Sequence, residues 1–330
     1  MTAAATGLGL FALLMGLPAL VGAGEGVSPR VAAGGHLMSL LGWGLLSVVW
    51  LGCMGASIGS WLAGIPAPGG GCLLGLERAQ WLLLGYLPAA AVLGLLAWHA
   101  VRLAVVARRA ELRGLALAGS VRRAVSGGVA VWVVPSQRPA AYAGGLWRPR
   151  AVVTSGLLAP LEEVERQAVC EHEGAHVRLG HPRVLVMGGA VVAAFGWLPP
   201  VRRAWDALRR ELEAAADDEA VRVVGASTVI STLAHVVLAG APVGGGAAGF
   251  GEFEHLRWRI NRLEKPHPVR ATSTAAAGSS MAVMAAVMAW SACVLAGGHP
   301  TVVAVAFCVA IFGAAAFRPV WAWNRRLEGH

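Results

Sequence analysis

The stretch Cys170-Glu171-His172-Glu173-Gly174-Ala175-His176 decides how the rest of the chain is read. It lies in a segment whose apolar positions, Leu161, Val164, Ala168 and Val169, recur every three to four residues and lead into His172. Glu162, Glu163 and Glu165 stand at its start, where the helix dipole favours acids. Residues four apart share one helical face, so His172 and His176 can aim ring nitrogens at a single metal ion. Glu173, one residue beyond the first histidine, reaches a water beside the ion rather than the ion itself. This is the layout of metal-assisted hydrolysis: zinc lowers the pKa of a bound water toward about 7, and a carboxylate takes its proton and passes it to the leaving amine.

Such a site needs a third ligand, and the helical run Glu211-Leu212-Glu213-Ala214-Ala215-Ala216-Asp217-Asp218 offers one. Glu213 and Asp217 are four apart and share a face. Glu213 completes a two-histidine, one-glutamate set, and Asp217 one turn on accepts the spare N–H of a ligand histidine. Asp occurs only three times in the chain, and two of these are Asp217 and Asp218. Glu211 and Asp218 are the nearest competitors, but Glu211 points about 200° around the helix from Glu213, so both cannot face the metal.

Between the two motifs runs Val184 to Leu198, VLVMGGAVVAAFGWL. A single membrane crossing here would put Glu213 on the opposite side from His172. The stretch is also short of the roughly 20 residues that a span needs. A buried or interfacial helix is therefore expected, with Trp197 and Pro199-Pro200 touching the headgroup region and turning the chain back.

Working outward, the 330 residues are 56% hydrophobic and 14% charged with a mean hydropathy of +0.62, which is too apolar for a soluble domain. Apolar runs long enough to span lie at about Thr2–Ala23, His36–Gly64 and Gln80–Val106. The first is expected to be a retained helix, because no Lys or Arg precedes it as in a signal peptide. Two shorter runs, Ser280–Ala296 and Thr301–Phe317, read as a C-terminal hairpin around the Gly-Gly-His-Pro turn at 297–300. Of the 27 basic residues 26 are Arg. Arg102, Arg108, Arg109, Arg113, Arg122 and Arg123 follow the third span and Arg318, Arg325 and Arg326 follow the last, which assigns both ends to the cytoplasm. The N-terminus and the loop 66–78 are then outside, and Glu25 and Arg30 inside. The net charge of +9 is read as this topology signal, and direct nucleic-acid binding is not expected.

The expected organisation is three membrane helices in 1–106, a cytoplasmic domain in 107–272 that includes the apolar segment 184–198, and a membrane hairpin with a short tail in 273–330. Val129–Val134, Ala141–Gly144 and Ala151–Thr154 are β-prone and predict a small sheet ahead of the zinc helix. Its edge could accept an extended substrate peptide as a further strand. Five cysteines without a CxxC pair indicate neither a disulfide framework nor a cysteine zinc site.

These residues resemble peptidase family M56, the integral-membrane zinc metalloproteases typified by the BlaR/MecR antibiotic-sensing receptors. The resemblance covers about Ala141 to Leu263. It includes Ala143-Gly144-Gly145-Leu146, Arg148-Pro149-Arg150-Ala151-Val152-Val153, Ser155-Gly156-Leu157-Leu158, Trp197-Leu198-Pro199 and Arg259-Ile260-Asn261-Arg262-Leu263. It implies a mostly α polytopic protein of about five spans, carrying a zincin-like (gluzincin) cytoplasmic domain in the cell membrane. It also implies zinc on His172, His176 and Glu213, with Glu173 as general base and Asp217 supporting a histidine. A BlaI/MecI-like repressor or the chain itself is the implied peptide substrate. The receptors' C-terminal penicillin-binding domain is not expected, since the chain ends at His330. Tyrosines to stabilise an oxyanion are scarce, namely Tyr86 and Tyr142, and His181, His235 or an Arg are substitutes. An M48, HtpX-like quality-control protease shares the HExxH and ExxxD chemistry, but such relatives place two spans between the motifs. A third reading is a membrane sensor or scaffold with structural zinc, although three protein ligands leave one position open where structural sites are usually closed.

Overall fold

A computed structural model describes residues 27–42, 44, 78–116, 122–126, 128–238 and 250–265. The expected first span, most of the second, most of the loop 66–78 and the whole C-terminal hairpin with its arginines lie outside these residues. The described chain is mostly helical. Residues 29–42 form α1, and Arg78–Ala116 form the 39-residue α2. Four strands follow: β1 (Arg122–Ser126), β2 (Val129–Val134), β3 (Ala141–Gly144) and β4 (Arg150–Thr154). The remaining helices are α3 (Ser155–Leu158), α4 (Glu163–Arg178), α5 (His181–Phe195), α6 (Pro199–Val224), α7 (Ala226–Leu238) and α8 (Phe250–Glu264).

The sheet is mixed, in the order β1-β2-β4-β3. β1 and β2 form an antiparallel hairpin, β2 pairs parallel with β4, and β3 runs antiparallel to β4 with Tyr142 opposite Val152. β1 was not expected, because Arg122 and Arg123 read as span-flanking charges. Pairing with the apolar β2 across a turn at Gly128, where φ is +81°, makes a strand of them. β3 is an edge: among the described residues no strand pairs with its outer side. One face of the sheet packs on α4, burying Val131, Ala151 and Val153 with Leu157, Leu161 and Val169.

A second core lies where α5 and α6 fold back on one another. Gly188 permits their close approach, for a β-carbon there would come within 2.9 Å of the Trp205 ring. Val191, Phe195, Val201 and Leu208 form this core together with Leu40 of α1, and Val92 and Leu96 of α2 pack against it. The apolar segment between the motifs is thus a 15-residue helix, about 22 Å long, that turns back at 196–198. Its return limb carries Arg202, Arg203 and Asp206. α1 enters the same bundle: the residues from His36 to Leu40, expected to begin a span, pack on the hairpin, with His36 and Leu40 buried. Arg30 on α1 pairs with Glu219 on α6.

One described helix is long and apolar enough to cross a membrane, at Ala90–Arg109 within α2. It bears an outward face of Leu93, Trp98, Val101 and Val105. Arg102, Arg108 and Arg109 are exposed toward its C-terminal end.

Candidate metal and catalytic site

Helix α4 begins with a capping box, in which the Glu162 N–H donates to Glu165 Oε2 at 3.1 Å and the N3 backbone N–H bonds the Glu162 side chain. Glu165 Oε1 also accepts the Ser231 hydroxyl at 2.5 Å and lies 2.7 Å from His235 Nδ1, which ties α7 to the start of the helix. Two turns further on, α4 lies against α6 and places the two motifs side by side.

His172 and His176 direct their Nε2 atoms at each other, 3.2 Å apart. Glu213 stands between them, with Oε2 3.4 Å from His172 Nε2 and Oε1 3.6 Å from His176 Nε2. One ligand atom from each of the three residues falls within 4.8 Å of the others. Two imidazole acceptors facing each other beside a carboxylate repel unless a cation or proton lies between them, so this donor set fits a divalent ion of the zinc type. Cys170 is not among the converging donors.

The second ring nitrogens are also engaged. His172 Nδ1 lies 3.1 Å from Asp217 Oδ1, and His176 Nδ1 lies 2.7 Å from His181 Nδ1. Arg259 on α8 closes the acid pair from behind. Its Nε and Nη2 donate to Asp217 Oδ2 and Oδ1 at 2.8 and 2.5 Å, and its Nη1 is 3.1 Å from Glu213 Oε2. Arg262 on the same helix reaches Asp218 at 2.6 Å, so Asp218 faces away from the histidines. Glu211 is likewise outside the cluster, and burial pushes its carboxyl up to about 7 against the pull of Arg262.

Electrostatics follow from this burial. Burial alone would depress His172, but its bonds to Asp217 and Glu213 outweigh that and raise it to about 10. Burial lowers His176 to about 4 and raises Glu173 to about 7. Glu213 and Asp217 resist burial: the charge on His176 and the bond from His172 hold Glu213 well below the usual range, and Arg259 with His172 holds Asp217 at about 2. Glu173 is thus the acid in the cluster that is most readily protonated near neutrality, a property suited to proton transfer.

A cleft of about 410 Å³ runs over the cluster. Ala141, Tyr142 and Ala143 of β3 line one side. Ala168 and Val169 on α4, Val229, Leu233 and Val236 on α7, and Leu185, Trp205 and Leu103 make much of the lining apolar. Of the proposed oxyanion donors, Tyr142 and His181 both line this cleft, Tyr142 half-exposed and His181 buried against His176, while His235 is outside the lining and bound to Glu165. Arg259 was read only as part of a sequence motif. Its role as the counter-ion of the site depends on a contact across 42 residues, which local spacing does not reveal.

The family described as Peptidase family M48 matches residues 107–277, just over half of the chain. No curated protein and no solved structure matches it.

Proposed function

The chain belongs to peptidase family M48, a metallopeptidase family, and from that premise we propose that it is a membrane-associated zinc endopeptidase. On this reading its domain faces the cytoplasm and cuts protein substrates at or near the bilayer. The observation that carries the reading is the convergence of His172, His176 and Glu213 within 4.8 Å in a cleft lined also by β3, whose outer side pairs with no strand among the described residues. Zinc held by these three residues supplies a Lewis acid and a water acidified toward about pKa 7.

The protein's own groups do the rest. Glu173 takes the proton of the attacking water and returns it to the amine leaving group. Asp217 fixes the tautomer and direction of His172, and Arg259 holds Asp217 and Glu213 against their mutual repulsion. The substrate lies along β3. Antiparallel pairs alternate between hydrogen-bonded and non-bonded; the Thr154 N–H donates to Ala140 O, so Tyr142 bonds β4, while Ala141 and Ala143 turn their N–H and C=O outward to the cleft. An extended peptide adding there passes over the histidines with its side chains against the apolar lining of the cleft.

M48 membership favours the quality-control reading, in which membrane proteins are the substrates. Regulatory cleavage of a BlaI/MecI-like repressor is the second reading, favoured by one observation: the segment between the motifs is a short hairpin with a charged return limb and not two spans. A scaffold with structural zinc would not need the open cleft in front of the donors. Purified full-length protein is to be given casein, an unfolded membrane-protein fragment and a soluble winged-helix repressor. Chelator-sensitive, zinc-restored cutting of the first two supports the quality-control reading; cutting of the repressor alone supports the regulatory one; no cutting of any contradicts the enzyme.

A further inference from the structure

We propose that His181 is a positioning residue that sets the ring of His176, acting as a neutral acceptor where Asp217 serves His172 as an anionic one. The inference rests on the metal-site reading above and adds a residue that neither the helical spacing nor the family's shared motifs assign. His176 and His181 are both buried, and their Nδ1 atoms lie 2.7 Å apart with the rings crossed at 78°. Only one of two such nitrogens can hold the proton between them. With His176 Nε2 turned toward His172 and Glu213, its Nδ1 carries hydrogen and donates, and His181 must receive that bond on an unprotonated Nδ1 and keep its own hydrogen on Nε2.

The backbone builds this contact on purpose-made geometry. α4 ends at Arg178 and Gly180 takes a left-handed conformation with φ +73°, which residues other than glycine adopt at a cost. The turn brings His181, the first residue of α5, back over His176. α5 is then anchored along its length, because Val191, Ala194 and Phe195 are buried in the core shared with α1 and α6, and Gly189 abuts Leu103 of α2. The helix that touches the candidate membrane span therefore begins at the residue that fixes a metal ligand.

The test measures zinc affinity of the full-length protein in detergent by competition with a chromophoric chelator, independently of catalysis. His181→Asn keeps an acceptor oxygen and His181→Leu, of similar size, has none. The Leu variant is expected to bind zinc roughly 10- to 100-fold more weakly than wild type, with the Asn variant recovering most of the loss. Equal affinity of Leu and Asn variants overturns the inference. If neither variant folds, the wild type decides: nitrogen NMR of the zinc-loaded protein is expected to show His181 protonated on Nε2, and protonation on Nδ1 overturns it. A wild type that binds no zinc overturns the metal-site reading itself, and the inference falls with it.

Discussion

Arg259 and Asp217 are joined by two hydrogen bonds, at 2.8 and 2.5 Å, in a pair that is almost completely buried. Breaking a buried pair by removing one partner costs more than the pair contributes, since the remaining charge stays desolvated. Arg259→Met is therefore expected to destabilise the metal-free protein by about 3–5 kcal/mol, measured by denaturant unfolding. Asp217 has a carboxyl pKa of about 2 in the fold, because Arg259 and His172 outweigh burial, against an ordinary 3.8. A depressed acid stabilises above its unfolded value and loses that contribution as pH falls through the folded one. The gap between wild type and Arg259→Met should be present above the ordinary carboxylate range and shrink as pH falls through it toward about 2. An unchanged gap at pH 3 contradicts the clamp.

The outward edge of β3 gives a sharper test of substrate placement. Ala143→Pro deletes one cleft-facing N–H without touching a bond to β4. The expected result is kcat/KM lowered roughly three- to tenfold, the worth of one hydrogen bond, with Tm unchanged. Tyr142→Pro removes a sheet bond instead and should lower Tm. Equal kinetics of Ala143→Pro and wild type would place the substrate elsewhere.

Cys170 is half-buried, and burial, together with the acids Glu171, Glu173 and Glu163, pushes its thiol up to about 11. The thiolate is the reactive form. Peptide-resolved alkylation should leave Cys170 unlabelled at pH 8 in folded protein and label it only near pH 11. Rapid labelling at pH 8 would contradict the described surroundings.

The exposed face of α2 predicts its place in the bilayer. Spin labels at Leu93, Trp98 and Val101 should be quenched by oxygen more than by a polar nickel complex, and labels at Arg108 and Arg109 the reverse. Equal polar access at all five positions would remove α2 from the membrane.

The parts of this fold that sequence made legible are those in which one short period carries the information. The four-residue spacing of His172 to His176 and Glu213 to Asp217 specifies shared helical faces, and these faces meet in the structure. Strands β2 and β4 follow from their β-branched runs, and β3 from its position between Pro and Gly punctuation. What stayed hidden depends on partners distant in sequence. Arg122 and Arg123 look like solvated charge until β2 pairs with them. The residues from His36 to Leu40 look like lipid-facing helix until α5 and α6 cover them. Arg259 and His181 carry no periodic signature, since each matters through a single contact made by a helix end or a later helix. The family assignment moved for a similar reason: HExxH and ExxxD are common to M48 and M56, and the match over 107–277 is to M48.

The central claim is that Glu173 transfers the proton during peptide-bond hydrolysis while His172, His176 and Glu213 hold the metal. Glu173→Gln keeps the size of the side chain and removes its basicity. The measurement is zinc content and cleavage rate of wild type and Glu173→Gln side by side, on one substrate. The account predicts about one zinc in each and a rate lowered at least 100-fold in the variant. A variant that retains its zinc and cleaves as fast as wild type would contradict it.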